Sequence, residues 1–259
     1  MRTWRLILHD DPLPGPLNMA VDEFLFLGLA GEPSTTLRFY RWVRPTVSLG
    51  AKQAAAAVVD LDFCRRNRID VVRRTTGGKV VLHHEEITYA VVSSDEAVFG
   101  PTLGSSYRRI SEALILGLER LGLRAALAGP APAEYARGTM PCFSHPARDE
   151  IEIGGRKIIG SAQRRIGSRF LQHGSLPLRH DENLLRAVTS YESGEGMRMT
   201  SLEAEMGRAA DVPRAVEALA EGFAEAFAAA FDRRPLSGDE WAAVRRIEAE
   251  AFSDPLPSR

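Results

Sequence analysis

Four short segments of this 259-residue chain combine residue types that can do chemistry. The first is Arg73-Arg74-Thr75-Thr76-Gly77-Gly78-Lys79. Paired glycines let backbone N–H groups close on an anion, and the flanking cations and hydroxyls would complement a phosphate or an acyl-adenylate. An ordinary turn would use the same glycines, and neither a P-loop spacing nor a dinucleotide fingerprint is present. The second is Cys142 in Met140-Pro141-Cys142-Phe143. It is either a small buried hydrophobe or, with a cation such as His145, Lys157 or an arginine beside its thiolate, a nucleophile. The third is Lys157, followed by Gly160-Ser161-Ala162-Gln163. On a strand Lys157 shares a face with Ile159; turned inward it needs an anionic partner, whereas on a solvated hairpin it needs none. The fourth comprises His83 and Gln172-His173-Gly174-Ser175. Hydrogen-bonded sheet histidines explain both, and because no ligand-like spacing accompanies them no metal is expected. Cys64 has no motif around it and is read as structural.

Composition limits what these segments can serve. Lys plus Arg number 33 and Asp plus Glu 34, so the net charge of −1 gives no global field for nucleic acid or an anionic membrane. Apolar residues at 44% and charged residues at 26% fit an ordinary globular fold. Two cysteines exclude a disulfide framework and a four-cysteine zinc site. No apolar run approaches the roughly 18 residues of a membrane span, and the N-terminus lacks a signal-peptide core, so the expectation is a soluble cytoplasmic protein.

The elements that must position the four segments follow from periodicity. Leu6-Ile7-Leu8 reads as a strand, and Met19, Val21, Phe24, Leu25 and Leu29 as a helix from Asn18, with Asp22 and Glu23 placed where a helix dipole favours acids. Thr36 to Trp42 and Thr46 to Gly50 look like one strand bent at Pro45. Strands at 70–73, 79–83 and 88–92 carry the glycine loop. Tyr107, Ile110, Leu114, Leu118 and Leu121 predict a helix over 105–121. After a loop at Gly129–Ala133, the runs on either side of Gly154-Gly155 predict a hairpin, and 169–178 a further strand. Val216, Leu219, Phe223, Phe227 and Phe231 predict a helix, and Ser237 to Glu240 has capping-box spacing. A boundary is possible at 185–210, where Ser190–Gly196 is loop-like. Without steady strand-helix alternation, this favours α+β with a mixed, largely antiparallel sheet flanked by helices.

In this order the segments resemble the lipoate/biotin protein ligase superfamily, and most its cysteine-dependent octanoyltransferases. Asn18-Met19-Ala20-Val21-Asp22-Glu23 resembles the opening helix, Phe39-Tyr40-Arg41-Trp42 with Pro45 to Gly50 the first sheet segment, and Arg73-Arg74-x-Thr76-Gly77-Gly78 to His83 the acyl-binding loop. Arg156 to Gln163 resembles the lysine motif, and Leu171 to Ser175 the strand after it. Lys79 with His83-His84-Glu85-Glu86, and Pro177 in the terminal strand, depart from the pattern.

The resemblance implies a class II synthetase/biotin-lipoate ligase-like fold, with 1–259 a single catalytic domain, 210–259 its helical C-terminal segment and no separate ligase accessory domain. It implies transfer of an octanoyl group from octanoyl-acyl carrier protein to the lipoyl lysine of a carrier domain, such as the glycine-cleavage H protein or a dehydrogenase E2. Cys142 would carry the acyl thioester. Lys157 would lower the thiol pKa and polarise the carbonyl. Arg73, Arg74, Thr76, Gly77, Gly78, His83, Gly160, Ser161, Ala162, His173 and Gly174 would bind substrate, with Val80, Leu82 and Val91 near the acyl chain. No cofactor is expected and the protein would be a monomer. Two alternatives stay open: an ATP-dependent lipoate-protein ligase working through an acyl-adenylate, with ATP and Mg as cofactors and Cys142 structural, and a non-catalytic partner of lipoyl domains.

Overall fold

The structure, a computed structural model, describes residues 2–9, 11–29, 31–129, 149–189 and 198–252. Cys142, the loop beyond Gly129 and the stretch Ser190–Gly196 lie outside the described residues. Strand β1 (Arg2–Leu8) leads to helix α1 (Gly15–Leu27), which starts early because Pro14 and Pro16 fit a helix N-terminus. Then come β2 (Thr35–Tyr40), β3 (Thr46–Leu49), α2 (Ala55–Val58), α3 (Leu61–Arg66), β4 (Asp70–Arg73), β5 (Val81–His83) and β6 (Glu86–Ser93). The chain continues through α4 (Glu96–Phe99), α5 (Leu103–Arg120), β7 (Ala126–Leu127), β8 (Ile151–Ile153), β9 (Arg156–Ile166) and β10 (Arg169–Pro177). It ends in α6 (Glu182–Val188), α7 (Leu202–Met206), α8 (Val212–Phe227), β11 (Ala229–Arg233) and α9 (Gly238–Ile247).

Eight strands form one mixed sheet in the order β11-β1-β2-β6-β10-β9-β8-β7, and β4-β3-β5 form a small second sheet. Only the pairs β1–β11 and β1–β2 in the large sheet are parallel. The architecture is the expected α+β. Gly154 and Gly155, both at positive φ, make the predicted β8–β9 turn.

Every residue of β6 is buried because helices cover both faces of the large sheet. Ile87, Tyr89 and Val91 pack with α5 and α8, while the alternate Ala90 and Val92 pack with α1 and α9. A third cluster, including Val47, Leu49, Cys64 and Leu185, joins the small sheet to α3 and α6. Cys64 is thus a core residue, its thiol pushed up to about 11 by burial and then by Asp60.

Two local expectations are corrected. The segment from Thr36 to Gly50 is not one bent strand: β2 pairs in the large sheet, whereas β3, after Pro45, pairs with β4 and β5 in the small one. Alternation reads the same on both sides of a proline and cannot show that the hydrogen-bonding partners change. Phe231 likewise keeps helical spacing from Phe227 but lies on β11, since Ala228 turns left-handed at φ 47° and ends α8. The C-terminal segment is therefore not wholly helical; the capping box at Ser237 and Glu240 does form.

Helices α5 and α8 approach closely because each has a glycine at the crossing. A Cβ on Gly222 would lie 2.5 Å from the backbone nitrogen of Gly117, and one on Gly117 would lie 2.7 Å from Cα of Leu219. Gly222→Ala should therefore cost about 1–3 kcal/mol through overpacking, although alanine is the better helix former. Chemical denaturation checks this; an unchanged midpoint would mean the crossing yields freely.

Candidate active site

Three cross-strand rows bring the predicted segments together. Arg38, Ala90, His173 and Ala162 lie in register across β2, β6, β10 and β9, as do Phe39, Tyr89, Gly174 and Ser161, and then Tyr40, Thr88, Ser175 and Gly160. Neighbouring rows face opposite sides, so one strand serves two environments.

On the α1 side, His173 donates from Nδ1 to Oδ2 of Asp22 at 3.0 Å, since a carboxylate can only accept, and its Nε2 takes the hydroxyl of Thr76 at 2.7 Å. Arg38, fully buried, donates to Asp22 at 2.6 Å and to Oδ1 of Asn18 at 2.6 Å, and Tyr40 donates to Asp22 at 2.9 Å. Asn18 also donates to the carbonyls of Leu13 and Arg41. Asn18 and Asp22 are one turn apart on α1, which is why both point at the sheet. Asp22 is thus mid-helix and held by Arg38, so a dipole preference at a helix start does not explain it. Burial alone would raise its carboxyl, but Arg38 and His173 outweigh this and hold it below the ordinary value. Burial lowers the His173 imidazole despite Asp22.

A second network surrounds His83. Its Nδ1 meets Glu86 and its Nε2 meets Ser48, both at 2.8 Å, and its ring stacks on Trp42 at 4.1 Å. Glu86 also accepts from Trp42, Thr88 and Ser175.

The glycine loop is tied down by its own arginines. Arg74 donates to the carbonyls of Ser48, Gly77 and Lys79, and Arg73 to those of Gly50 and Gln53. Gly78 needs its φ of 92°, and a Cβ on Gly50 would sit 1.9 Å from the Gly78 carbonyl oxygen, so β3 and the loop touch backbone to backbone.

A cavity of about 220 Å³ lies between these parts. Met19, Val80, Leu82, Leu185 and Met199 supply apolar wall, and Glu150, Lys157, Ser161 and His173 polar wall. Of the predicted binding residues, Arg74, Gly78, His83, Gly160, Ser161, Ala162, His173 and Gly174 line it. Arg73, Thr76 and Gly77 do not line it, although Thr76 bonds His173, which does, and Val91 is in the core under α5 and α8. Lys157 is turned inward and buried, and its Nζ donates to Oε1 of buried Glu150 at 2.6 Å. Across the missing side chain of Gly174, Tyr89 and Ser161 share a hydrogen bond of 2.7 Å, and burial pushes the Tyr89 hydroxyl up to about 12.

Sequence reasoning demanded an anion for an inward Lys157 without naming it. The register sets Glu152 opposite Lys157, yet Glu150 reaches the ammonium where the ladder slips between Ile151 and Glu152. Ser48 and Trp42 gave no spacing signal, because they reach His83 from β3 and from the segment after β2, both distant in sequence, and Glu86 reaches it from the start of β6. Among the described residues no group of three or more His, Cys, Asp or Glu side chains is placed to hold a metal ion, and no helix is long and apolar enough to cross a membrane.

The lipoyl protein ligase A/B catalytic domain family matches residues 14–224. The chain belongs to that family. This lipoyl protein ligase A/B domain is 38% identical to octanoyltransferase LipM of Kyrpidia tusciae, covering 98% of each chain. It is 37% identical to octanoyltransferase LipM of Carboxydothermus hydrogenoformans, covering 98% of this chain and 97% of that one. Among solved structures, lipoate-protein ligase A bound with ATP is similar at a TM-score of 0.83 and 27% identity, over 98% of this chain and 97% of that one.

The buried networks carry a pH dependence with a definite sign. His9, lowered to about 3 by burial and then by Arg38, stays neutral in the fold and gains a proton on unfolding below about 6.5, and His173 and His180, both lowered first by burial, act in the same direction. The unfolded state then binds more protons, so stability falls as pH drops, at up to about 1.4 kcal/mol per pH unit for His9. Asp22 continues the loss at lower pH, where its depressed carboxyl is finally protonated. Unfolding midpoints at pH 7.5 and 5 should differ, and His9→Phe, which keeps a ring against Trp241, should shrink the difference. A flat pH profile would contradict the neutral burial of these rings. Independently, Arg38→Met, which strands Asp22, should cost about 3–5 kcal/mol.

Proposed function

We propose that this protein is an octanoyltransferase that moves an octanoyl group from octanoyl-acyl carrier protein to the lipoyl lysine of a carrier domain, through a thioester on Cys142. The observation that carries this reading is a buried ammonium, Lys157, in the wall of a largely apolar cavity, in a chain related over nearly its full length to octanoyltransferases. The apolar wall suits a saturated acyl chain, and the ammonium suits the negative charge that develops on a thiolate or an oxyanion.

The chemistry balances without a cofactor. The Cys142 thiolate attacks the donor thioester carbon; the new Sγ–C bond forms as the donor C–S bond breaks and the carrier thiolate leaves. The uncharged amine of the acceptor lysine then attacks the same carbon, a C–N bond forms, the Sγ–C bond breaks, and the amine's proton leaves with the thiol or solvent. Lys157 stabilises charge in both halves. The glycine-cleavage H protein and a dehydrogenase E2 are the acceptor classes for such an enzyme.

The likeness to lipoate-protein ligase A bound with ATP favours a second reading, an ATP-dependent ligase in which Cys142 is structural. The arginines such a ligase would turn toward an acyl-adenylate, Arg73 and Arg74, here donate to backbone carbonyls, Arg73 to Gly50 and Gln53 and Arg74 to Ser48, Gly77 and Lys79, which supports the transferase.

Intact-protein mass spectrometry after incubation with octanoyl-acyl carrier protein and no ATP tests the proposal. Wild type should gain about 126 Da in a hydroxylamine-sensitive form and Cys142→Ser should not, as covalent catalysis requires. No gain, with octanoylation of an acceptor domain only when ATP and free octanoate are supplied, would make the protein a ligase. No acylation under any donor would leave a lipoyl-domain binding partner.

A further inference from the structure

A buried pair of opposite charges needs a reason, because an apolar pair of similar volume is often as stable. The Lys157–Glu150 pair lies in the wall of the cavity, and the structure around it restricts where the ammonium can be. On the lysine side, the backbone is held from a second direction: the N–H of Lys157 donates to the carbonyl of Arg198 at 2.8 Å, and the N–H of Thr200 donates to that of Lys157 at 2.9 Å. Beside the side chain, Gly160 leaves the space the ammonium needs, since a Cβ there would lie 2.8 Å from Cε and 3.0 Å from Nζ of Lys157.

Glu150 is fixed just as firmly. Its carbonyl accepts from the N–H of Ala128 at 2.8 Å, and the N–H of Asp149 donates to the carbonyl of Ala128 at 3.2 Å. Ser111 on α5 donates to the carbonyl of Asp149 at 3.1 Å, and Asp149 itself takes a left-handed φ of 66°. Tyr107, also on α5, feels the same carboxylate: its hydroxyl is pushed well up by burial and then by the Glu150 charge. A glutamate whose backbone is held at Ala128 and, through Asp149, at α5 thus presents its carboxylate to the ammonium of a lysine on β9 held at residues 198–200, and both face the same cavity.

We propose that Glu150 is a positioning residue for acyl transfer: its carboxylate fixes the Lys157 ammonium at the point of the cavity wall where the acyl carbonyl is exchanged. It rests on the function proposed above. Glu150 itself touches no reacting atom; it acts through Lys157. An ammonium on a flexible four-carbon stem stabilises a developing charge well only if it is already in place, because a group that must reorganise during the reaction loses much of its advantage.

The test uses single-turnover formation of the octanoyl-enzyme from octanoyl-acyl carrier protein, followed by mass. Glu150→Gln, which keeps the shape and removes the charge, should slow acylation on the order of 10- to 100-fold with little change in the half-saturating donor concentration. Glu150→Asp, which keeps the charge on a shorter stem, should recover part of that loss. Combining Glu150→Gln with Lys157→Met should give a protein no slower than Lys157→Met alone, because a residue that acts only through Lys157 has nothing left to position. A role in stability alone predicts the opposite: losses that multiply in the double variant, or acylation by Glu150→Gln at the wild-type rate. Either would overturn the proposal. If Glu150→Gln fails to fold, Glu150→Asp, alone and combined with Lys157→Met, gives the same comparison. Wild type that forms no octanoyl-enzyme would instead overturn the transferase reading and this proposal with it, an outcome separate from normal wild-type acylation that Glu150→Gln leaves untouched.

Discussion

The site depends on one buried ion pair, Arg38 with Asp22. An arginine with no solvent exposure is held because its two terminal nitrogens meet the Asp22 carboxylate and Asn18, and the same carboxylate orients His173, which in turn accepts the hydroxyl of Thr76 at the start of the glycine loop. Helix α1, strands β2 and β10 and the loop are thereby joined through charge-assisted hydrogen bonds in a low-dielectric interior. Such bonds are directional, and an apolar contact between helix and sheet would not fix the loop's position in the same way.

Around that anchor the large sheet separates two jobs by the alternation of its strands. Residues pointing to α1 build the polar scaffold, while those pointing to α5 and α8 build the main core, whose aromatic part runs from Trp4 through Phe99 to Phe227. The cavity opens where the large sheet, the small sheet and α6 meet, so its wall mixes side chains from β5, β9 and β10. The glycines of the site are explained by contacts more than by flexibility: Gly50, Gly160 and Gly174 are each a place where another group occupies the space of a side chain.

How much of this was legible in the sequence differs by scale. The α+β class, the β8–β9 hairpin and helix α5 follow from periodicity and turn chemistry, which are local, whereas alternation left Lys157 open between an inward and a solvated position and only the family resemblance placed it in the site. The division of Thr36 to Gly50 between two sheets, and the passage of Phe231 from helix to strand, depend on which partner accepts each backbone hydrogen bond, and a pattern of apolar spacing holds no such information. Within the site, His83 and His173 were visible as residues worth weighing, but their partners were not, and Asp22 was read only as an acid near a helix start. Glu86 from β6, Ser48 from β3 and Trp42 from just beyond β2 converge on His83, and Glu150 reaches Lys157 beside an irregularity in the ladder.

Strand β10 carries His173 toward α1 and Gly174 toward Tyr89 and Ser161, adjacent residues with opposite duties. Because side chains alternate with a period of two, a single residue inserted or lost between Arg169 and His173 would bring a side chain to the place where Gly174 must have none and turn the imidazole away from Asp22. The length of that stretch is therefore as tightly constrained as its composition, and lineages of this chain can vary the number of residues in exposed connections such as residues 31–34 far more freely than in five residues of an interior strand.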